Sequence, residues 1–348
     1  MSKKTCNEGF PCYSSHHPDI LGNVLNNFAG VIHMKKTIIA AALSAAVAAP
    51  AAMAEVSLYG KAHMAYEFGS NNYDDSSTAD ADKIASRASR FGIKASEDLG
   101  NGMSAFVKYE FGADAIDGTN GLTARDALMG IKGDFGTISL GRMGAPVKGV
   151  LYGVGNVQLA DANGGDDFAG GFFSKGTRSN NVTAYSNSFN GVNVTIGTSG
   201  TDASSTSAAG DNFDGKHISL STNVGGVKVA LGNYDTASED ALILGAKMSM
   251  DALTVAVVHE EYDTTTANGD YDTTGISASY AMGANVISAS FSTRDHQNTS
   301  TKDIDRTTFG VEHKFSKKTS AYISYSDKDA GVTNQNDSMT SVGMIMNF

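Results

Sequence analysis

The side chains of this sequence that could do chemistry are mostly charged groups at strand-like spacing. Arg90, Gly92 and Lys94 occupy alternate positions, so in a strand all three would point to one face. Lys61 and Lys108 hold the same polar parity in two other alternating segments. We interpret these four bases as lining one wall of a water-filled site, although a single lysine or arginine there could simply be a solvated wall residue.

Three carboxylates that could oppose such a wall occur in the longest connection, Met143–Thr177. It has 35 residues, and connections of that length are usually functional. Its glycine-rich run 161–171 contains Asp161, Asp166 and Asp167. Carboxylates that face bases across a few ångströms of water create a transverse field, which favours polar solutes and excludes apolar ones. These residues therefore predict a filter for solutes.

Catalytic and metal-binding patterns are weak. In His259-Glu260-Glu261 the neighbouring side chains of a strand would point to opposite faces, so no ligand pair forms. There is no H-E-x-x-H, G-x-S-x-G or phosphate-binding loop. Serine, histidine and asparagine are plentiful, so composition alone leaves a hydrolase open. We predict a protein that is not an enzyme and that uses no cofactor and no metal. The scattered histidines are His63, His217, His259, His296 and His313.

The elements that must position these charges are amphipathic strands. In Val56–Phe68 apolar residues alternate with polar ones, which indicates a strand with one apolar face. The last ten residues alternate in the same way, with Ile345 as the exception, and end in Phe348. A soluble sandwich and a lipid-facing barrel would both give this pattern. Aromatic residues at strand ends, including Tyr322 and Tyr325, are expected at the membrane interface.

The lengths of the connections favour the barrel. Seven short turns and eight long loops alternate and separate sixteen strands, and tight turns at one end with long loops at the other are typical of outer-membrane barrels. We predict an all-β, sixteen-stranded antiparallel transmembrane β-barrel with both termini in the periplasm. The short turns are 98–102, 133–136, 188–191, 225–226, 250–251, 282–284 and 316–319, and the long loops are 69–83, 113–122, 143–177, 199–215, 235–240, 263–271, 295–305 and 329–337.

An export signal precedes the strands. Two lysines after Met34, the apolar run Ile38–Ala49 and the small residues Ala52-Met53-Ala54 predict a signal peptide over 34–54 with cleavage after Ala54. Met34 is then the natural start, and residues 1–33 are expected to be a mis-called upstream extension or, alternatively, a cytoplasmic one. Residues 55–348 form the expected mature barrel domain.

The charge of the mature chain excludes one class of partner. Residues 1–54 contain four of the 26 bases and two of the 37 acids, which leaves 22 bases, 35 acids and a net charge of −13. Such a chain is not expected to bind nucleic acid. Both cysteines, Cys6 and Cys12, lie before the cleavage point, so the mature protein is expected to have neither thiols nor disulfides.

Several segments, taken in order, resemble the Gram-negative general porins over nearly all of 55–348. Ser89–Gly102 is similar to their second strand and first turn, and Arg125–Arg142 is similar to their fourth and fifth strands. Pro146 resembles the proline that opens their third loop, and Thr177–Tyr185 resembles the start of their sixth strand. Tyr59-Gly60 at the front and the terminal Phe348 complete the resemblance.

The resemblance implies a homotrimer of barrels in the outer membrane that passes small hydrophilic solutes by diffusion. It implies that the third loop folds inward and narrows the pore, and that Arg178 is a constriction base just after that loop. Its implied partners are outer-membrane lipid, lipopolysaccharide and, through Phe348, the barrel-assembly machinery. A substrate-specific channel, or a barrel that serves mainly as an adhesin or structural element, is the alternative.

One departure from anion-selective relatives concerns Arg125 and Asp126. Strand parity places Asp126 inward, as a constriction acid, and Arg125 outward or at the rim unless a bulge shifts the register. With the net charge of −13, this predicts a weak preference for cations. The acids of the first outer loop are expected to be solvated or to bind Ca²⁺ together with lipopolysaccharide phosphates. They are Asp74, Asp75, Asp80 and Asp82.

Overall fold

A computed structural model describes residues 55–69, 82–113, 116, 121–155, 173, 178–200, 215–266, 269–298, 303–329 and 337–348. The predicted signal peptide and upstream extension lie outside these residues. Among the described residues no helix is long and apolar enough to cross a membrane.

The described chain forms one closed antiparallel sheet of sixteen strands, as the alternation predicts. Each strand pairs with its neighbours in sequence, and the last pairs with the first. The second strand consists of two segments that both pair with β1. The strands are β1 Glu55–Gly69, β2 Lys83–Ser86 with Arg90–Gly100, β3 Met103–Ala113, β4 Leu122–Gly133, β5 Gly136–Gly144, β6 Arg178–Phe189, β7 Val192–Ser199, β8 Gly215–Val224, β9 Val227–Asp235, β10 Glu239–Met250, β11 Leu253–Thr264, β12 Tyr271–Met282, β13 Asn285–His296, β14 Ile304–Lys314, β15 Thr319–Asp329 and β16 Asp337–Asn347.

Closure occurs at the C-terminal residue. The backbone amide of Gly60 donates to the carbonyl of Phe348, and the amide of Phe348 donates to the carbonyl of Gly60, each at 3.0 Å. The aromatic ring of Phe348 covers Gly60, where a β-carbon would overlap it. Because Gly60 has no side chain, the terminal ring can lie directly on the wall.

The interruption in β2 is held by charged and polar contacts. Ala88, between the two segments, has a φ of 51°. The Ser89 side chain donates to the carbonyl of His63 and accepts from its amide. The Arg87 guanidinium pairs with Glu67, whose side chain is almost fully buried. These bonds replace part of the ladder between β1 and β2 that the break removes.

The two faces of the sheet differ in chemistry. Large apolar side chains such as Leu58, Met129 and Ile276 are exposed on the outer face, whereas His63, Glu67 and other polar groups are buried on the inner one. Tyr322 is a correction: it lies on the inner face, 4% exposed, and its hydroxyl is 2.7 Å from Nε2 of His63. Its parity follows Ser320 and Ser324, which alternate with the outward Ile323 and Tyr325.

The short turns occur where they were predicted, at all seven places. One connection predicted to be long is short, because only Thr236–Ser238 separate β9 from β10. There the amide of Thr236 donates to the carbonyl of Glu239, and the Thr236 hydroxyl accepts from two further amides. The predicted loop acids Asp74, Asp75 and Asp80 lie outside the described residues.

The beginning of the third loop packs on the inner wall. The helical turn α1, Lys148–Val150, continues into a π-helical turn, Leu151–Gly155. Together with Val147, these turns bury apolar side chains against β9, β10 and β11, where the wall residues include Ile243 and Val258. Asp161, Asp166 and Asp167 lie outside the described residues, so the inward-folded constriction loop stays a prediction.

We expect Phe348→Ala to lower the free energy of unfolding by about 1–2 kcal/mol. Full burial of a phenylalanine ring contributes roughly 3–5 kcal/mol, and the Phe348 side chain is 48% exposed. Guanidinium unfolding in detergent, with heat-modifiable gel migration as the measure of folded protein, would test it. Phe189→Ala is the control, because Phe189 is 52% exposed and does not close the sheet. Equal losses in both variants would contradict a specific closing role.

We expect Gly245→Ala to displace the start of the third loop. An added β-carbon would overlap a methyl group of Val154, which is fully buried, and overpacking of this kind costs about 1–3 kcal/mol. The midpoint of thermal unfolding should fall, and protease cleavage within 145–155 should become faster. Gly149→Ala is the control, since a β-carbon there meets nothing within 4 Å. Unchanged cleavage would disprove the packing role.

Candidate functional site

Charged and aromatic side chains from β1, β2, β3, β4 and β6 meet on the inner wall. We call this group the wall cluster; it comprises Tyr59, Arg90, Lys94, Lys108, Glu110, Arg125, Asp126 and Arg178. Its centre is Glu110 on β3, which is 5% exposed. One carboxylate oxygen accepts from Arg125 Nε at 2.7 Å and from Arg178 Nη2 at 3.2 Å. The other accepts from the Tyr59 hydroxyl at 2.9 Å and lies 3.4 Å from Lys108 Nζ.

A second carboxylate ties the same bases together. Asp126 on β4 accepts hydrogen bonds from Lys108 Nζ through one oxygen and from Arg178 Nε through the other. Arg178 is 52 positions from Asp126 and 68 positions from Glu110 in the sequence, and β6 brings it back to β3 and β4. Because two carboxylates share these bases, each charge has more than one partner, and the side chains are held in fixed positions.

Tyr59 and Lys94 extend the cluster along β1 and β2. The Tyr59 ring lies over Gly92, where a β-carbon would be 2.5 Å from it. Lys94 Nζ stands 4.4 Å from the centre of that ring, a distance at which a cation is attracted to the aromatic face. Because Gly92 has no side chain, the Tyr59 ring can lie at this position and contact the Lys94 ammonium group.

The position of Arg125 differs from the parity expectation. The register of β3 with β4 pairs Glu110 with Asp126 and then Phe111 with Ala124, which leaves Arg125 as the extra residue of a β-bulge. Its Nε reaches Glu110. The expectation of Arg125 outward or at the rim made an exception for a bulge, and the bulge is present: it brings Arg125 and Asp126, which are adjacent in sequence, onto the same wall.

The predicted constriction residues divide into three groups. The structure brings Arg90, Lys94, Lys108, Asp126 and Arg178 together in the wall cluster, with Arg90 Nε 4.0 Å from Glu110. Lys61 pairs in register with Arg90 on the neighbouring strand and is 9% exposed. Asp126 is bonded to bases on its own wall and does not face them across the lumen. The loop acids belong to the residues that are not described.

Sequence reasoning missed Glu110 and Tyr59 as members of the site, and it left the direction of Arg125 dependent on a bulge. Glu110 shares the polar parity of Lys108, and Tyr59 shares that of Lys61, so the alternation already placed both on the inner face. Nothing in the alternation identified Glu110 as the common partner, because its contact with Arg178 spans 68 positions. The bulge that turns Arg125 inward has no compositional signal.

The wall cluster, taken together with Lys61, is basic. Six bases, Lys61, Arg90, Lys94, Lys108, Arg125 and Arg178, accompany the two carboxylates Glu110 and Asp126. In the described ranges, no group of three or more His, Cys, Asp and Glu side chains could hold a metal ion. Fixed charges on a water-facing wall act on passing ions and dipoles through their field, and this requires no covalent step.

Comparison with known proteins agrees with the barrel architecture described above. A family model described as Gram-negative porin matches residues 40–333. The major outer membrane protein P.IB of Neisseria gonorrhoeae is 36% identical over 119 residues, which are 33% of this chain and about a third (34%) of that protein. P.IB of Neisseria meningitidis serogroup B is 27% identical over 321 residues, 84% of this chain and 92% of the relative.

Two solved structures share the fold. An anion-selective porin from Comamonas acidovorans has a TM-score of 0.68 at 19% identity and matches 85% of this chain and 100% of its own. The trimer form of OmpT from Vibrio cholerae, folded in vitro, has a TM-score of 0.63 at 14% identity, with 85% and 100% covered. With the closed sixteen-stranded barrel and a family model that matches most of its length, this chain belongs to the Gram-negative porin family and is a protein of the outer membrane.

Proposed function

We propose that this protein is a general diffusion porin that passes small hydrophilic solutes and ions across the outer membrane. The observation that carries the proposal is a closed sixteen-stranded barrel with an apolar outer face and a charged inner wall. Side chains cannot fill a barrel of that many strands, so water occupies the lumen. The fixed charges of the wall cluster then act on the ions and polar solutes that pass through the lumen.

The charged wall favours diffusion of polar solutes over a structural or adhesin role. A structural or adhesin barrel does not require bases held at fixed positions by shared carboxylates, as Lys108 and Arg178 are. A substrate-specific channel would bind its solute saturably and conduct poorly. The constriction role of the predicted set belongs to the proposal: Asp126, Asp161, Asp166 and Asp167 as acids, and Lys61, Arg90, Lys94, Lys108 and Arg178 as bases.

The proposed assembly is a homotrimer surrounded by outer-membrane lipid and lipopolysaccharide. The trimer form of OmpT from Vibrio cholerae supports it as an analogous fold. The exposed apolar outer face offers the area that neighbouring barrels and lipid would cover. Phe348, which closes the sheet, is the proposed contact with the barrel-assembly machinery.

The predicted weak cation preference keeps one of its two supports. The net charge of −13 remains, but Arg125 faces the wall, and the excess of bases there favours anions. The similar fold from Comamonas acidovorans is anion-selective. A salt gradient across a planar bilayer decides the sign: a reversal potential of anion sign would overturn the cation preference and leave the diffusion channel intact.

We expect refolded residues 55–348 to form channels with large, ohmic conductance in planar bilayers. A trimer of open barrels should close in three equal steps. Low, saturable conductance that a particular solute blocks would support the substrate-specific channel instead. Near-zero conductance of protein that shows heat-modifiable migration would contradict the porin function, because the barrel would be folded but would not let ions through.

We expect Glu110→Gln to shift the permeability ratio of chloride to potassium upward, roughly twofold or more, since it removes one of the two carboxylates that accompany six bases in the wall cluster and Lys61. The reversal potential in a potassium chloride gradient measures this ratio. Glu97→Gln is the matched control: it makes the same charge change on an exposed residue whose parity in β2 points outward. Equal shifts in the two variants would show that the wall cluster does not set selectivity.

A further inference from the structure

We propose that the inner wall at the short-turn end holds a binding site for small multivalent anions, which adjoins the wall cluster and shares Arg90 with it. A cavity of about 580 Å³ lies there. Five bases line it together with the single carboxylate Glu312. The bases are Lys61, Arg90, Lys314, Lys317 and Lys318. We call this cavity the turn pocket. It goes beyond the proposed diffusion function, which requires no bound solute.

The strand register places the turn pocket on the water-filled side of the sheet. Lys61 pairs with both Arg90 and Asn347, and Ser320 pairs with both Ile345 and Lys314. Paired residues share a face, and residues of the opposite parity, such as Met346 between Ile345 and Asn347 and Ile323 three positions after Ser320, are exposed on the outer face. The paired strand residues of the lining therefore face the lumen, and the turn with Lys317 and Lys318 adjoins them, so a ligand would arrive from water and not from the surrounding lipid.

The turn that presents two of the lysines is held in one conformation. The Ser316 hydroxyl accepts from the amides of Lys318 and Thr319 at 3.1 and 3.0 Å. The amides of Phe315 and Ser316 both donate to the carbonyl of Thr319. The amide of Asn347 donates to the carbonyl of Lys318 and so fastens the turn to the last strand. Lys317 and Lys318 thus start from a fixed backbone, which lowers the entropy lost on binding.

The charge of the turn pocket selects the class of ligand. The lining carries four more positive than negative charges, and one of these, on Arg90, is shared with Glu110 of the wall cluster at 4.0 Å. Lys314, Lys317 and Lys318 are exposed, and within the described part of the chain none of them forms an ion pair. Ammonium groups in a concave site attract small anions of high charge, such as phosphates and polycarboxylates, more strongly than chloride. The mixed lining, with Ile345 beside Asn347 and Ser320, also leaves room for a short apolar portion.

Binding of inorganic pyrophosphate tests the site. Isothermal titration of the detergent-solubilised protein in about 0.1 M salt, where the Debye length is about 10 Å, should show one pyrophosphate per chain. Lys317→Gln together with Lys318→Gln should weaken binding roughly tenfold, since two of the five cations are removed. Neither residue belongs to the wall cluster, so conductance in potassium chloride should remain.

The matched control removes two lysines that do not line the turn pocket, Lys132→Gln together with Lys216→Gln. Its affinity for pyrophosphate should equal that of the unchanged protein. Equal weakening in the two double variants would assign the effect to overall charge and overturn the site, and so would absence of binding to the unchanged protein. Binding by a barrel that does not conduct would contradict the porin function and leave the site standing.

Discussion

The structure depends on a constraint that the hydrocarbon core imposes on the backbone. Amide and carbonyl groups have no water to bond there, so a sheet can cross the membrane only if it has no free edge. This chain meets the constraint by pairing β16 with β1 and ends the pairing at Gly60 and Phe348. The absence of a side chain at Gly60 and the ring of the last residue are two parts of one contact.

Closure at sixteen strands creates the space in which the polar residues act. The inner face, freed from packing against a second layer, carries charges that a soluble sandwich could not bury. Glu110 and Asp126 are each bonded to several bases, so the wall charges are fixed although they face water. The same space admits the beginning of the third loop, which is held by apolar contacts with Ile243 and Val258 instead of charges.

Irregular backbone recurs where the inner wall carries its polar groups. The break in β2 lets Arg87 reach Glu67 and Ser89 reach His63. The bulge in β4 turns Arg125 toward Glu110. A regular strand turns every second side chain outward, so each departure adds an inward polar group that strict alternation would have directed at lipid. The wall therefore gains charge density at the expense of a regular hydrogen-bond ladder.

Alternation together with the lengths of the connections determined the class of fold and the number of strands. Alternation alone determined the inward parity of Lys61, Lys94 and Lys108, because side-chain direction in a strand follows from the period of two. It could not determine which inward residues meet. Glu110 and Arg178 are distant in sequence, and the successive pairing of β3 with β4, β4 with β5 and β5 with β6 brings them together. Nor could it place Arg125, whose direction depends on a bulge between β3 and β4, whereas Tyr322 simply follows the regular inward parity of Ser320 and Ser324. The partners of the inward residues and the bulge are set by hydrogen bonding between strands, which the order of residues within one strand does not specify.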